Sequence, residues 1–130
     1  MMNIVCVVGS PHGVEGNTAR LMEHVLQGAK SRGALCEVIS LAQKQVGFCC
    51  GCDTCHRSGR CPHGDDFEEI REKIEAADGV ILASPNYIFS VSAQMKAFMD
   101  RCCGVVHCMS FRGKYGLAVV TSGGGGDEPI

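Results

Sequence analysis

From Asn3 to Gly9 the chain reads NIVCVVG, a continuous apolar run rich in β-branched residues, the pattern of a parallel strand buried on both faces. The spacing then turns helical. Leu21, Met22, Val25, Leu26 and Ala29 share one face over Thr18–Arg32, with Asn17 or Thr18 positioned to cap that helix and Gly33 to close it. Leu35–Leu41 mixes Glu37 and Ser40 among its apolar positions, as an edge strand does. After a cysteine-rich stretch, Asp65 and Asp66 open a second helix with Phe67, Ile70, Ile74 and Ala77 inward and Glu68 and Glu69 in the first turn, where the dipole favours acids. Gly79–Ala83 is a third strand and Tyr115–Thr121 a fourth. Between them Ser92–Cys103 forms a helix that turns Met95, Phe98, Met99 and Cys102 to the core and leaves Lys96, Asp100 and Arg101 on a solvated face. Strands alternating with helices, without internal repeats, predict an α/β doubly wound parallel sheet.

In such sheets ligands sit beyond the carboxyl ends of the strands, so the loops after each strand are the place to look for chemistry. The first, GSPHGVEGNT (Gly9–Thr18), is rich in small residues and leads into a helix N-terminus, where free N–H groups and the Ser10, Asn17 and Thr18 side chains suit a phosphate. Its glycine spacing is neither a dinucleotide fingerprint nor a Walker A loop, and an ordinary capped βα turn is the competing reading. Glu37 lies about twenty residues on, where a ribose-binding acid is expected, but inside the strand. The segment SPNYIFSVSAQMKAFMDR (Ser84–Arg101) offers Tyr87 and Phe89 to flank a flat ring and the backbone near Asn86 to bond its polar edge. TSGGGG (Thr121–Gly126) brings main-chain N–H groups to a ligand unobstructed, or is a flexible tail.

The most specific pattern is Cys49, Cys52, Cys55 and Cys61, a Cys-x2-Cys-x2-Cys-x5-Cys run. Three thiolates at x2 steps wrap one face of an iron–sulfur cube. Zinc sites more often pair two separated knuckles, and unligated thiols or disulfides are the remaining alternatives. Cys50 is adjacent to two of these ligands. His56 and His63 flank the loop as ligands, proton donors or plain solvent-facing residues. Cys6 and Cys36 read as packing residues, and Cys102, Cys103 and Cys108 form a second group that could hold a metal, with packing the more common role for two residues at a helix end.

Composition narrows the function classes. With 130 residues, 45 % hydrophobic, the chain has enough apolar content for one globular domain, with the cysteine-rich segment 47–64 as an insert loop. Net charge is −2, which gives no electrostatic footprint for nucleic acid or for an anionic membrane. The apolar run at the start is too short for a secretory signal and no later run would span a bilayer, so a cytoplasmic protein is expected.

Taken together, GSPHGVEGNTARL, the cysteine loop with its following Asp-Asp, SPNYIFSVSAQMKAFMDR and TSGGG resemble the NADPH-dependent FMN reductase superfamily, and the cysteine motif resembles its iron–sulfur flavoprotein branch. The resemblance spans nearly the whole chain. It implies a flavodoxin-like fold with strand order 2-1-3-4. It further implies an FMN phosphate held by Ser10, Asn17 and Thr18, and an isoalloxazine ring surrounded by Pro85, Asn86, Tyr87, Ile88 and Phe89 and by Ser122, Gly123 and Gly124. Cys49, Cys52, Cys55 and Cys61 would bind a [4Fe-4S] cluster. His12 stands where members commonly carry an arginine, and the loop is one residue longer than usual before Asn-Thr. The function implied is FMN-linked electron transfer, coupling two-electron donors to one-electron acceptors, with no side chain acting as nucleophile. A flavin or quinone reductase without a cluster, and a non-enzymatic flavodoxin-like carrier, are the alternatives. NAD(P)H, ferredoxin or a quinone would be the partner. A flavodoxin-like sheet has five strands and four are found, and YGLAVVT has an interior strand's composition. The chain is therefore expected to be part of a longer polypeptide or to associate into a homo-oligomer.

Overall fold

The computed structural model describes residues 1–124. Four strands, β1 (Asn3–Val8), β2 (Leu35–Ser40), β3 (Gly79–Pro85) and β4 (Tyr115–Thr121), form one parallel sheet in the order β2-β1-β3-β4. The register is unbroken: Ile4 pairs with Cys36 on one side and Gly79 on the other, and Gly79–Pro85 pair residue by residue with Tyr115–Thr121. The order 2-1-3-4 is that of a flavodoxin-like sheet. It places the strand change between β1 and β3, where the loops after both strands diverge.

Period-two alternation in β1 explains the layering. Val5 and Val7 point to a core shared with Phe67, Ile70, Ile74, Met95 and Phe98, which come from α3 (Phe67–Ala76) and α4 (Ala93–Arg101). Cys6 and Val8 point the other way, to Met22 and Leu26 of α1 (Asn17–Ser31) and to Ile81 and Ala83. A strand buried on both faces needs apolar residues along its buried length, which IVCVV supplies after the exposed Asn3.

Several expectations need correction. The cap of α1 is Gly16, with no side-chain bond, and not Asn17 or Thr18, both of which lie inside the helix. The predicted Ser92–Cys103 helix divides at Cys102 into α4 and a one-turn helix, α5 (Cys103–His107). Ser92 is a buried N-cap whose Oγ accepts from the Met95 N–H at 3.1 Å and donates to the Gly9 carbonyl. Met99 is exposed, whereas Arg101, assigned to the solvated face, is buried. The cysteine stretch contains a short helix, α2 (Thr54–Ser58). Cys36 is only partly buried. β4 is the edge strand among the described residues, with Tyr115 71 % and Leu117 48 % exposed despite its interior-like composition. No helix among the described residues is long and apolar enough to cross a membrane.

Candidate cofactor sites

The loops after β1, β3 and β4 meet in one cleft of about 230 Å³, lined by Ser10, His12, Asn17, Thr18, Pro85, Asn86, Tyr87, Thr121, Ser122 and Gly123. Ser10 and Thr18 are buried hydroxyls, and Thr18 Oγ1 lies 2.8 Å from Thr121 Oγ1, joining the start of α1 to the end of β4. Because the 15-residue α1 has no side-chain cap, the N–H groups of its first turn are left to a ligand or to water. A Cβ at Gly16 would come within 2.8 Å of His12 Cβ and 3.2 Å of Ser10 Oγ, so the loop closes this tightly only around glycine. A 3₁₀ turn, Gly13–Glu15, takes up the extra length of this loop. The His12 side chain is exposed at the rim, and the His12 backbone N–H donates to Ser10 Oγ at 3.2 Å. Uncapped N–H groups, buried hydroxyls and a close backbone approach fit a phosphate monoester.

The tip after β3 is a tight turn in which Tyr87 and Ser90 exchange backbone hydrogen bonds of 2.8 and 3.2 Å. Its two central residues, Ile88 (φ 49°) and Phe89 (φ 59°), are both left-handed, which for a β-branched residue is strained. Ile88 is 93 % exposed and Phe89 66 %, so neither lines the cleft that Pro85, Asn86 and Tyr87 line. The Asn86 N–H, which the sequence offered to a ring edge, is committed to the Thr121 carbonyl at 2.7 Å. Gly124 does not line the cleft, and Gly125 and Gly126 of the glycine run lie outside the described residues. Glu37 remains in β2, paired with Lys73.

At the other end of α4 lies a second, smaller cavity of about 40 Å³. Cys49, Cys52, Cys55 and Cys61 all line it, together with Cys50, His63, Arg101 and Cys103. The nine residues of α4 separate the two sites: Ser92 bonds Gly9 at one end and Arg101 faces the cysteines at the other, about 13 Å apart at the helical rise. Arg101 organises the loop. Its guanidinium forms a fork with Asp65 at 2.7 and 2.9 Å and donates to the Gly47 carbonyl at 3.0 Å and to Cys61 Sγ at 3.2 Å. It also lies 4.8 Å over the Phe67 ring. The Cys61 N–H is held by Glu68 at 2.9 Å, and Glu68 in turn pairs with the buried Arg71. Hydrogen bonds from Arg101 hold the Asp65 carboxyl well below the usual range.

The thiols differ among themselves. Cys52 is drawn below its ordinary value, first by the Thr54 hydroxyl and then by the Thr54 backbone, which favours the thiolate a metal requires. Cys55 is raised by burial and then by the nearby Cys103, Cys61 and Cys49 thiols, and such mutual repulsion is what a shared cation relieves. Burial alone pushes Cys102 up to about 12, and it pushes Cys6 to about 12 with help from Cys36. Six thiols line this cavity, the four of the x2-x2-x5 run among them, and with a guanidinium donating to one sulfur they form a donor set that fits a thiolate-ligated cluster. Sequence reasoning missed the role of Arg101 and did not bring Cys103, named only in a separate group, to the four-cysteine run. Arg101 was detectable, because it stands three residues after Phe98 on the apolar stripe; the pairing of Cys103 with the run carried no local signal.

Comparison with known proteins gives the family and the fold. The model of the NADPH-dependent FMN reductase family matches residues 2–129. An iron–sulfur flavoprotein of Methanocaldococcus jannaschii is 42 % identical over 98 % of this chain and 66 % of its own length. One from Archaeoglobus fulgidus is 37 % identical over 96 % of this chain and 56 % of its own. The chain thus spans less than two thirds of either relative. A solved NADH:FMN oxidoreductase superposes with a TM-score of 0.70 at 25 % identity, covering 95 % of this chain and 60 % of that one.

Proposed function

Because the chain belongs to the NADPH-dependent FMN reductase family, we propose that it is an oxidoreductase that binds FMN at the tips of β1, β3 and β4 and couples it to a [4Fe-4S] cluster held by Cys49, Cys52, Cys55 and Cys61. The observation that carries the reading is that all four cysteines of the x2-x2-x5 run line one cavity. Bound FMN would exchange two electrons as a hydride or one at a time, and the cluster one at a time.

The protein's own residues do the positioning. Ser10, Asn17, Thr18 and the first turn of α1 receive the phosphate, with His12 at its rim. Pro85, Asn86 and Tyr87 take one side of the ring and Ser122 and Gly123 the other. Arg101 donates a hydrogen bond to Cys61 Sγ and places a fixed positive charge beside that sulfur. No side chain is needed as nucleophile or general acid. NAD(P)H, ferredoxin or a quinone serves as donor or acceptor, and the exposed β4 joins a second copy in the same reading.

An as-isolated absorption spectrum with iron and acid-labile sulfide analysis on anaerobically prepared protein tests this. Flavin bands together with a broad, dithionite-bleached absorption and four irons per chain are expected. Flavin bands alone would leave a reductase without a cluster, and flavin without NAD(P)H turnover would leave an electron carrier. A monomer by light scattering would remove the second copy.

A further inference from the structure

We propose an alternative metal site, filled when the chain lacks its cluster, for a single tetrahedral zinc-class divalent ion, formed by Cys55 and His56 of α2 and Cys103 of α5. The Cys55 and Cys103 sulfurs and a His56 ring nitrogen lie within 4.8 Å of one another, with His56 Nε2 3.0 Å from Cys103 Sγ. In a tetrahedral site with Zn–S near 2.3 Å and Zn–N near 2.0–2.1 Å, ligand atoms stand about 3.5–3.8 Å apart, so side-chain rotations alone would close the shell. Two thiolates and an imidazole are the donors such an ion prefers, and solvent beside the exposed Cys103 supplies the fourth position.

The surroundings are those of a built site. A Cβ at Gly104 would approach Cys55 Cβ to 2.6 Å and Cys55 Sγ to 3.0 Å, so α5 reaches α2 this closely only with glycine there. The His56 ring stacks on His107, centroids 4.3 Å apart at 18°, which fixes its plane. Its other nitrogen, Nδ1, lies 3.9 Å from Asp53 Oδ1, beyond hydrogen-bond reach but within ion-pair distance. Asp53 is itself held left-handed, at φ 57°, to start α2. Binding replaces the Cys55 and Cys103 thiol protons, so one ion bound releases two protons and no electrons move.

Cys55 is shared with the four-cysteine run, so the single ion and the cluster compete for it. The proposal does not rest on the cluster, and its test removes the cluster altogether. In a Cys49→Ser, Cys52→Ser, Cys61→Ser chain, which keeps only Cys55 of the run, Co²⁺ is titrated and followed by thiolate charge-transfer and tetrahedral d–d bands. One equivalent is expected to bind. Adding Cys103→Ser or His56→Ala should weaken binding beyond the roughly 10–100-fold of an outer-shell loss. Gly104→Ala should also weaken binding, by moving Cys55. Failure of the folded triple variant to bind, or equal affinity with and without Cys103, overturns the site. Should that variant not fold, the unaltered apo-chain decides: Zn²⁺ must shield Cys103 from alkylation while leaving Cys36 reactive. Equal Cys103 labelling with and without Zn²⁺ refutes the proposal.

Discussion

Replacing Asp65 by Asn keeps the shape of the side chain and removes the charge that answers Arg101. The Arg101 side chain is fully buried and its fork to Asp65 closes at 2.7 and 2.9 Å, while Asp65 keeps 18 % of its side-chain exposure. Removing one partner of a buried pair leaves an uncompensated charge and costs about 3–5 kcal/mol; the residual solvent at Asp65 puts the expectation near 3 kcal/mol. That is a large share of a domain stability of about 5–15 kcal/mol. Urea unfolding followed by circular dichroism is the assay, and at a slope of about 1–3 kcal/mol/M the midpoint should fall by on the order of 1–3 M. Asp100→Asn is the control, since its pair with Lys96 is 49 % and 58 % exposed and should be worth less than about 1 kcal/mol. The pH dependence has a definite sign. Asp65 is depressed in the folded state, so its contribution is complete above the ordinary carboxylate value of 3.8 and is lost as pH falls below it. The gap between Asp65→Asn and the parent should therefore be full at pH 7 and narrow below about pH 4. A loss for Asp65→Asn no larger than for Asp100→Asn, or one independent of pH, would refute the assignment of Arg101 as the anchor of the cysteine loop.

Cys52→Ala should abolish iron binding while FMN remains bound, as the two sites lie at opposite ends of α4; unchanged iron by elemental analysis would remove Cys52 from the ligand set. Thr18→Ala, which breaks the hydroxyl contact to Thr121, should weaken FMN by about tenfold, roughly 1.4 kcal/mol, without changing riboflavin affinity, and equal losses in a fluorescence titration would take the phosphate away from this loop. Ile88→Asn should raise stability by about 1 kcal/mol, because asparagine accepts the left-handed backbone and the side chain it replaces is almost wholly in solvent. Destabilisation on thermal melting would mean that Ile88 packs against something. In timed alkylation of apo-protein at pH 7, Cys52 should react early and Cys6 and Cys102, both pushed up to about 12 by burial, last.

The strands were legible because a both-face-buried parallel strand has to be apolar along its buried length, and IVCVV and GVILA have no other use in a polar sequence. β4 shows the limit of that argument: YGLAVVT reports what a strand can bury, not what covers it among the described residues. The caps misled for a related reason. Asn17 and Thr18 are good caps by type, but the loop needs Gly16 for its close approach to Ser10 and His12, and the hydroxyl of Thr18 is turned to Thr121. The helices α2 and α5 have no apolar periodicity, being five residues each and held by tertiary contact. Only the fold brings Cys103 to Cys55. The charge at Arg101 was the readable exception, since an arginine on the stripe of Met95 and Phe98 must find a buried partner.

The base of the cysteine excursion is fastened by contacts that involve none of its cysteines. The Gln45 N–H donates to Asp66 at 2.6 Å and its carbonyl accepts from the Asp66 N–H at 2.9 Å. The Gly47 N–H donates to Asp65 at 2.8 Å, and Arg101 holds the Gly47 carbonyl and Asp65 at once. Closing a loop of about 19 residues costs on the order of 2–3 kcal/mol of chain entropy, which here is met by folding rather than by coordination. The thiols therefore meet an incoming ion at high effective concentration, and metal removal should leave a folded chain that can be reloaded, unlike a zinc finger whose loop collapses without its ion. Loss and recovery of the centre can then act as a reversible chemical event on a standing scaffold.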